Sequence, residues 1–213
     1  MEIMIRNEKE EDYREVEHLT REAFWNQYIP GAREHYVLHV LRKSKDFIKE
    51  LDFVAEVDHK IVGSIVYSES KLIDDGLKTE IISLTLGPIA VHPDFQKKKI
   101  GAKLIEHSIE KARAMGYSAI MITGDPRYYH QFGFRCAERY NIAMEDGKYA
   151  AALMVLPLQD EDIFDRFKGR FIHSSAFSID EKELEKFDQG FPKKEKKITE
   201  SQKMFELLSS LIY

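Results

Sequence analysis

Between Ile81 and Gly116 the chain changes its apolar period once, at a short polar loop. Ile81 to Val91 is a long, largely apolar run, as expected of a strand buried on both faces. After His92 to Lys99, apolar residues return at helical spacing: Ile100, Leu104, Ile105, Ile109 and Ala112 share one face. Gly116 stands where a left-handed residue ends such a helix. Gly87-Pro88 lies inside the strand; proline has no N–H for a ladder, so pairing is expected to fail there on one side. The first turn of a helix leaves backbone N–H groups unpaired and favours negative charge. With Gly101 in that turn and Lys97, Lys98 and Lys99 before it, the unit reads as an anion site, most naturally for phosphate.

The flanking sequence supplies the rest of an α/β domain. Glu2 to Arg6 reads as a short strand. Val16, Leu19, Ala23 and Phe24 give a helix interrupted by Pro30-Gly31, and Tyr36, Val37, Val40 and Leu41 give a second. Asp52 to Ser70 predicts two strands joined by a tight turn at Asp58-His59-Lys60. Ser118 to Thr123 is a buried strand, and Asp125-Pro126 opens a short helix. Further strands are expected near Glu138 to Met144 and Tyr149 to Leu156. Strands at both ends with helices between them predict a three-layer α/β domain.

Beyond Leu158 the composition shifts. Asp160 to Asp165 is acidic, Arg170 to Phe177 is expected as a strand, and Ser178 with Glu181 predicts a capped helix. Lys193 to Lys197 reads KKEKK and is expected to be solvent-exposed. Thr199 with Gln202 predicts a second cap, before a helix with Met204, Phe205, Leu207, Leu208, Leu211 and Ile212 on one side. The division expected is residues 1–157 as one core domain and 158–213 as an extension packed on it. Its apolar helix suits a wall of a pocket, a cap on the core or a homodimer contact.

Composition excludes some classes. The net charge of −5 over 213 residues argues against a broad basic face for nucleic acid. The apolar runs are too short to cross a bilayer. With one cysteine, Cys136, and no basic-then-apolar N-terminal segment, the expected setting is a reducing, cytoplasmic one. Cys136 reads as a small apolar residue without an activating partner. His35 and His39 have helical ligand spacing but no third ligand, so they are expected on a solvated face and no metal is expected.

The segment GPIAVHPDFQKKKIGAKLIEHSIEKARAMGY resembles the acetyl-CoA motif of the GNAT family of N-acetyltransferases, which runs Gln or Arg, two residues, Gly, one residue, Gly or Ala. Gln96 matches its first position and Gly101 its last, while Lys99 replaces the first glycine. Tyr128-Tyr129-His130-Gln131-Phe132-Gly133-Phe134 resembles the family's tyrosine, three residues, glycine, aromatic signature, one strand after the cofactor helix. The resemblance implies a GNAT-type mixed, mostly antiparallel central sheet flanked by helices, with residues 158–213 an α/β addition. Lysine at position 99 costs little at ordinary helical angles, and its ammonium adds charge beside the phosphates, so CoA binding is expected to survive.

The resemblance also implies roles. Acetyl-CoA is the co-substrate, its pantetheine arm lying along Leu86 to Val91 on main-chain groups of Ile89, Ala90 and Val91. Gln96, Lys97, Lys98, Lys99, Ile100, Gly101 and Ala102 form the phosphate end, with Tyr128 and Phe132 beside them. Tyr129 is the proton donor to the departing thiolate, with Tyr128 its neighbour if the short helix is rotated. A primary amine of a small molecule or peptide is the acceptor. Candidate bases are Glu22, Glu56, Glu80 and His92, or a water chain. Trp25 and Tyr28 fall where the acceptor pocket is usually lined, or pack at its rim. A non-catalytic acyl-CoA-binding module acting through a protein partner is the alternative.

Overall fold

The structure is a computed structural model that describes residues 1–159, 164 and 167–212. The acidic segment expected at positions 160–165 lies outside the described residues apart from Phe164. The described strands are β1 (Met4–Asn7), β2 (Phe53–Val57), β3 (Lys60–Asp74), β4 (Glu80–Val91), β5 (Ala119–Thr123), β6 (Arg135–Cys136), β7 (Ile142–Ala143), β8 (Leu153–Pro157) and β9 (Gly169–Ile172). They form one sheet in the order β1-β2-β3-β4-β5-β8-β6, with β9 against both β3 and β7. Pairing is antiparallel except for β4 with β5 and β7 with β9. This is a mixed, mostly antiparallel sheet, as the resemblance implied.

Helices cover both faces. On one lies α3 (Ile100–Ala114), whose Ile100, Leu104, Ile105, Ile109 and Ala112 are buried in a core shared with Phe53, Ile65, Tyr67 and Leu86. Each buried Ile or Leu contributes roughly 1.5–3 kcal/mol of transfer free energy. The helix sits unusually close to β3: a Cβ at Gly63 would lie 3.0 Å from Ile100 Cγ2 and 3.2 Å from Leu104 Cδ1. On the other face α1 (Tyr13–Phe24) and α2 (Glu34–Leu41) bury Val16, Leu19, Leu38 and Leu41 against Val54, Val66 and Ala90. The β2–β3 turn at Asp58-His59 has both residues left-handed, as a two-residue hairpin with the strands' twist requires.

The region after β8 is sewn to this core rather than hung from it. β9 extends the sheet alongside the far half of β3. α5 (Glu181–Asp188) docks on α1 and α2 through Asp188, which takes Arg21 Nε at 2.6 Å and lies 3.0 Å from His35 Nε2. The segment before α6 (Glu200–Ser210) is clamped to the end of α1: Trp25 Nε1 and Asn26 Nδ2 donate to Glu195 O.

Several expectations need correction. Glu138 to Met144 is a 3-10 turn (Ala137–Tyr140) followed by two-residue β7. Only Gly169–Ile172 of the expected Arg170 to Phe177 strand is extended, because Ser174 caps a 3-10 turn over Ser175–Phe177. α5 is capped by Asp180, not Ser178: its carboxylate accepts from the N–H groups of Lys182 and Glu183. Thr199 and Gln202 form no capping box, since both side chains donate to Asn26 O. His35 is not on a solvated face; it is buried between Phe187 and Phe191 of the extension. Cys136 is exposed, not buried as a small apolar residue, because β6 is a two-residue edge strand.

Candidate functional site

The site begins where β4 and β5 part. Their ladder is limited to Leu84↔Ile120 and Thr85↔Met121, so among the described residues β4 has no strand partner on that side from Leu86 to Val91. On its other side β4 pairs with β3, stepping over Gly87-Pro88 by a bulge between Ile65↔Ile89 and Tyr67↔Leu86. The failure of pairing expected at Pro88 is thus present. His92 N donates to Val62 O across that pair. Main-chain groups alternate sides along a strand, so Ala90 also faces β3 while Ile89 and Val91 face the opening. Gln96 Nε2 already uses Val91 O as acceptor, at 3.3 Å.

The loop leading out of the opening is built by an unusual backbone. His92 caps a 3-10 turn (Pro93–Phe95), its Nδ1 accepting from Asp94 N. Lys97 and Lys99 then take φ of 61° and 64°. The ordinary helical angles expected for Lys99 are therefore wrong: it is the left-handed cap of α3. A non-glycine residue there carries on the order of 1–2 kcal/mol of strain, of the kind that clusters at ligand sites. Lys98 turns back, its Nζ donating to Asp94 O at 2.9 Å and lying 4.7 Å from the centre of the Phe95 ring. Gly101 and Ala102 form the first turn of α3, whose amides face the loop. A Cβ on Gly101 would stand 3.5 Å from Val91 Cγ2 and 3.5 Å from Tyr128 Oη, at the place where loop, strand and α4 (Pro126–Tyr129) converge. An open strand edge, a nested loop, three lysines and a bare first turn fit a long ligand with phosphates at one end.

The adjacent tyrosines stand at opposite ends of this groove. Asp125 caps α4 by accepting from Arg127 N, with Pro126 in the first turn. Tyr128 projects toward Gly101, its ring edge-on to Phe132 at 5.5 Å. Tyr129 is half-buried against Gly124 and Phe134. Burial, reinforced by Tyr28, Tyr128, Tyr67 and Asp125, raises its phenol well above the ordinary range, so it stays protonated and able to donate.

Beyond Tyr129 lies a cavity of about 330 Å³. Its wall includes the open end of β4 (Leu86 to Ile89), Tyr28, Glu34, and Phe177, Ile179 and Phe205 of the extension. Tyr28, for which a lining or a rim position was open, lines this cavity and packs 4.5 Å from Phe205. Trp25 is not; it stacks on Arg21 at 4.0 Å and holds Lys194. None of the four side chains weighed as base lines the cavity. Glu22 pairs with Lys194 at 2.6 Å, Glu56 with Arg6 and Glu80 with Lys71 at 2.7 Å, while His92 caps the loop. The acidic residue that does line it is Glu34, missed because nothing in its neighbourhood distinguishes it from other surface glutamates. Its Oε2 accepts Arg33 N–H at 3.0 Å, and burial raises its carboxyl above the ordinary range despite that bond. Among the described residues no cluster of three or more His, Cys, Asp or Glu is placed to hold a metal. No described helix is long and apolar enough to cross a membrane.

Known proteins share this frame. Residues 50–136 match the family model of the acetyltransferase (GNAT) domain. The chain is 32% identical over 88 residues to the uncharacterized N-acetyltransferase YjhQ of Escherichia coli, an alignment covering 41% of this chain and 48% of that protein. Thus the chain matches only about half the length of that relative. It is 24% identical over 160 residues to the uncharacterized N-acetyltransferase YhbS of E. coli, covering 75% of this chain and 89% of YhbS. The crystal structure of YhbS in complex with CoA superposes with a TM-score of 0.71 at 22% identity, over 83% of this chain and 92% of that one. A GNAT family acetyltransferase from Brucella melitensis in complex with acetyl-CoA gives a TM-score of 0.60 at 26% identity, over 83% and 98%. Sheet order, open β4 edge and the match of residues 50–136 to the acetyltransferase (GNAT) domain agree on a GNAT-type fold.

Proposed function

We propose that this domain transfers an acetyl group from acetyl-CoA to a primary amine by direct attack. The observation that carries the reading is the unpaired edge of β4 from Leu86 to Val91, running from the cavity beside Tyr129 to the lysine loop. Acetyl-CoA supplies the activated acyl group. Gln96 to Ala102 hold its phosphates by backbone N–H groups and by the ammonium groups of Lys97 and Lys99. Tyr128 and Phe132 flank that end. The outward N–H groups of Ile89 and Val91 bind the pantetheine arm, and one of them steadies the charge that develops on the thioester oxygen. Tyr129 holds a proton for the leaving sulfur. Residues 158–213 are an extension of the 1–157 catalytic domain that completes the acceptor side, not a separate unit. We place the protein in the cytoplasm, without nucleic-acid or membrane partners; a homodimer would use the exposed side of α6.

The test is release of CoA thiol from acetyl-CoA with a panel of amines, followed by Tyr129→Phe. The reading expects amine-dependent release that falls at least 10-fold in Tyr129→Phe with unchanged CoA affinity. Tight CoA binding with no release for any amine would support the non-catalytic module instead.

A further inference from the structure

The wall of the cavity states what kind of amine it accepts, given that the domain is an acetyltransferase. Three of its aromatic or branched faces, Phe177, Ile179 and Phe205, come from the extension. Phe24, Tyr28 and Pro88 come from the core. Its charged lining residues are Arg33 and Glu34. Arg33 is already paired through Nη2, which lies 2.8 Å from Glu181 Oε1. The Glu34 carboxylate accepts from backbone N–H groups of Arg33 and of Glu34 itself, and among the described residues it has no ion pair with a cationic side chain, although the Arg33 charge nearby favours its ionised form.

Physical chemistry narrows the occupant. One carboxylate balances one ammonium. A second ammonium on a polyamine would sit against Phe, Ile and Pro without a counter-charge, and the hydroxyls of an aminosugar would lose their hydration there. An apolar body buries its surface against the same wall, and aromatic faces attract the cationic head of the amine. A cavity near 330 Å³ suits a ring with a short arm.

We infer that the acceptor is a primary monoamine with an apolar, ring-sized body, its ammonium held by Glu34 and its body against the extension's Phe177, Ile179 and Phe205. Glu34 takes one proton from the ammonium, breaking an N–H bond and forming an O–H bond. The freed nitrogen lone pair attacks the acetyl carbonyl carbon, and the C–S bond breaks. The sulfur takes the Tyr129 proton, the surplus proton on the new amide nitrogen returns to the tyrosinate, and the Glu34 proton passes to solvent. Burial suits Glu34 to this step, because a raised carboxyl is a stronger base toward an ammonium.

The experiment compares kcat/KM for 2-phenylethylamine and tryptamine with spermidine, an aminoglycoside, lysine and phenylalanine, alongside CoA affinity by calorimetry. The expected result is at least a 10-fold preference for the two arylalkylamines. Glu34→Gln should raise KM for 2-phenylethylamine at least 10-fold and remove the acid limb of the pH profile, with CoA affinity and melting temperature unchanged, and Glu34→Asp should recover part of the loss. Phe205→Ala should raise KM for 2-phenylethylamine but not for methylamine. A preference for spermidine, the aminoglycoside, lysine or phenylalanine, or an unaltered Glu34→Gln, overturns this inference and leaves acetyl transfer standing. CoA binding without turnover of any amine overturns both, and absence of CoA binding removes the cofactor site itself.

Discussion

Gly124→Ala tests the role of Tyr129 without touching its phenol. Gly124 ends the tip of β5, and a Cβ there would lie 2.5 Å from Tyr129 Cε2 and 3.0 Å from Cδ2. Carbon atoms rest at about 3.5–4.0 Å, so the ring must retreat by roughly 1 Å. It has little room, since it packs edge-on to Tyr128 at 5.1 Å and Phe134 at 5.8 Å. The overpacking should cost about 1–3 kcal/mol of stability. A displacement of about 1 Å at a reacting group is worth on the order of 100-fold in rate. Steady-state thiol release should therefore show kcat lowered by about 100-fold, while CoA affinity, proposed to be set at Gln96 to Gly101, should hold. Because both changes act through one hydroxyl, Gly124→Ala combined with Tyr129→Phe should be no slower than the worse single variant. A full rate in Gly124→Ala, or additive losses in the double variant, would refute the assignment of Tyr129.

Other outcomes follow from the same geometry. Gly101→Glu places bulk and negative charge among the helix amides, and CoA binding by calorimetry should disappear while the melting temperature stays within a few degrees; retained affinity would move the phosphate site elsewhere. Lys99→Gly relieves about 1–2 kcal/mol of left-handed strain but frees the unfolded chain by roughly 0.4–1 kcal/mol, so stability should change by under about 1 kcal/mol, with weaker and less salt-sensitive CoA binding. A loss above about 4 °C in melting temperature would contradict the backbone described for position 99. His35, faced by Asp188, Arg21 and Arg14, is pushed down to about 4, chiefly by burial. The unfolded chain therefore takes up the proton first as pH falls, and about 2 kcal/mol of stability should be lost between pH 6.5 and 5. Melting curves of His35→Gln over that window should be flatter by this amount; an equal slope in both proteins would place the dependence on other groups.

The sequence made some of this legible because one residue type answers to one physical demand. The period change after His92, Pro88 inside β4, and Gly101 at the start of α3 each report a backbone requirement that few other residues meet. The aromatic signature ending at Phe134 similarly located the turn that brings Tyr128 and Tyr129 to the groove. The cavity beside Tyr129 was illegible for the opposite reason. Glu34 shares the cavity wall with Phe205 across 171 positions of chain, and no local spacing records such a meeting. His35 read as a surface residue because its partners, Asp188, Phe187 and Phe191, come from the extension. Lys99 concealed its own backbone: a glycine there would have announced a left-handed residue, whereas lysine suggested an ordinary helical one.

The central claim is that acetyl-CoA lies along the open edge of β4 with its phosphates on the first turn of α3. A crystal structure of the protein grown with CoA measures this directly. The account requires the pyrophosphate oxygens within hydrogen-bond distance of the amides between residues 97 and 102, and the pantetheine amides paired with the main chain of Ile89 or Val91. CoA bound anywhere else, with the β4 edge left free, would contradict it.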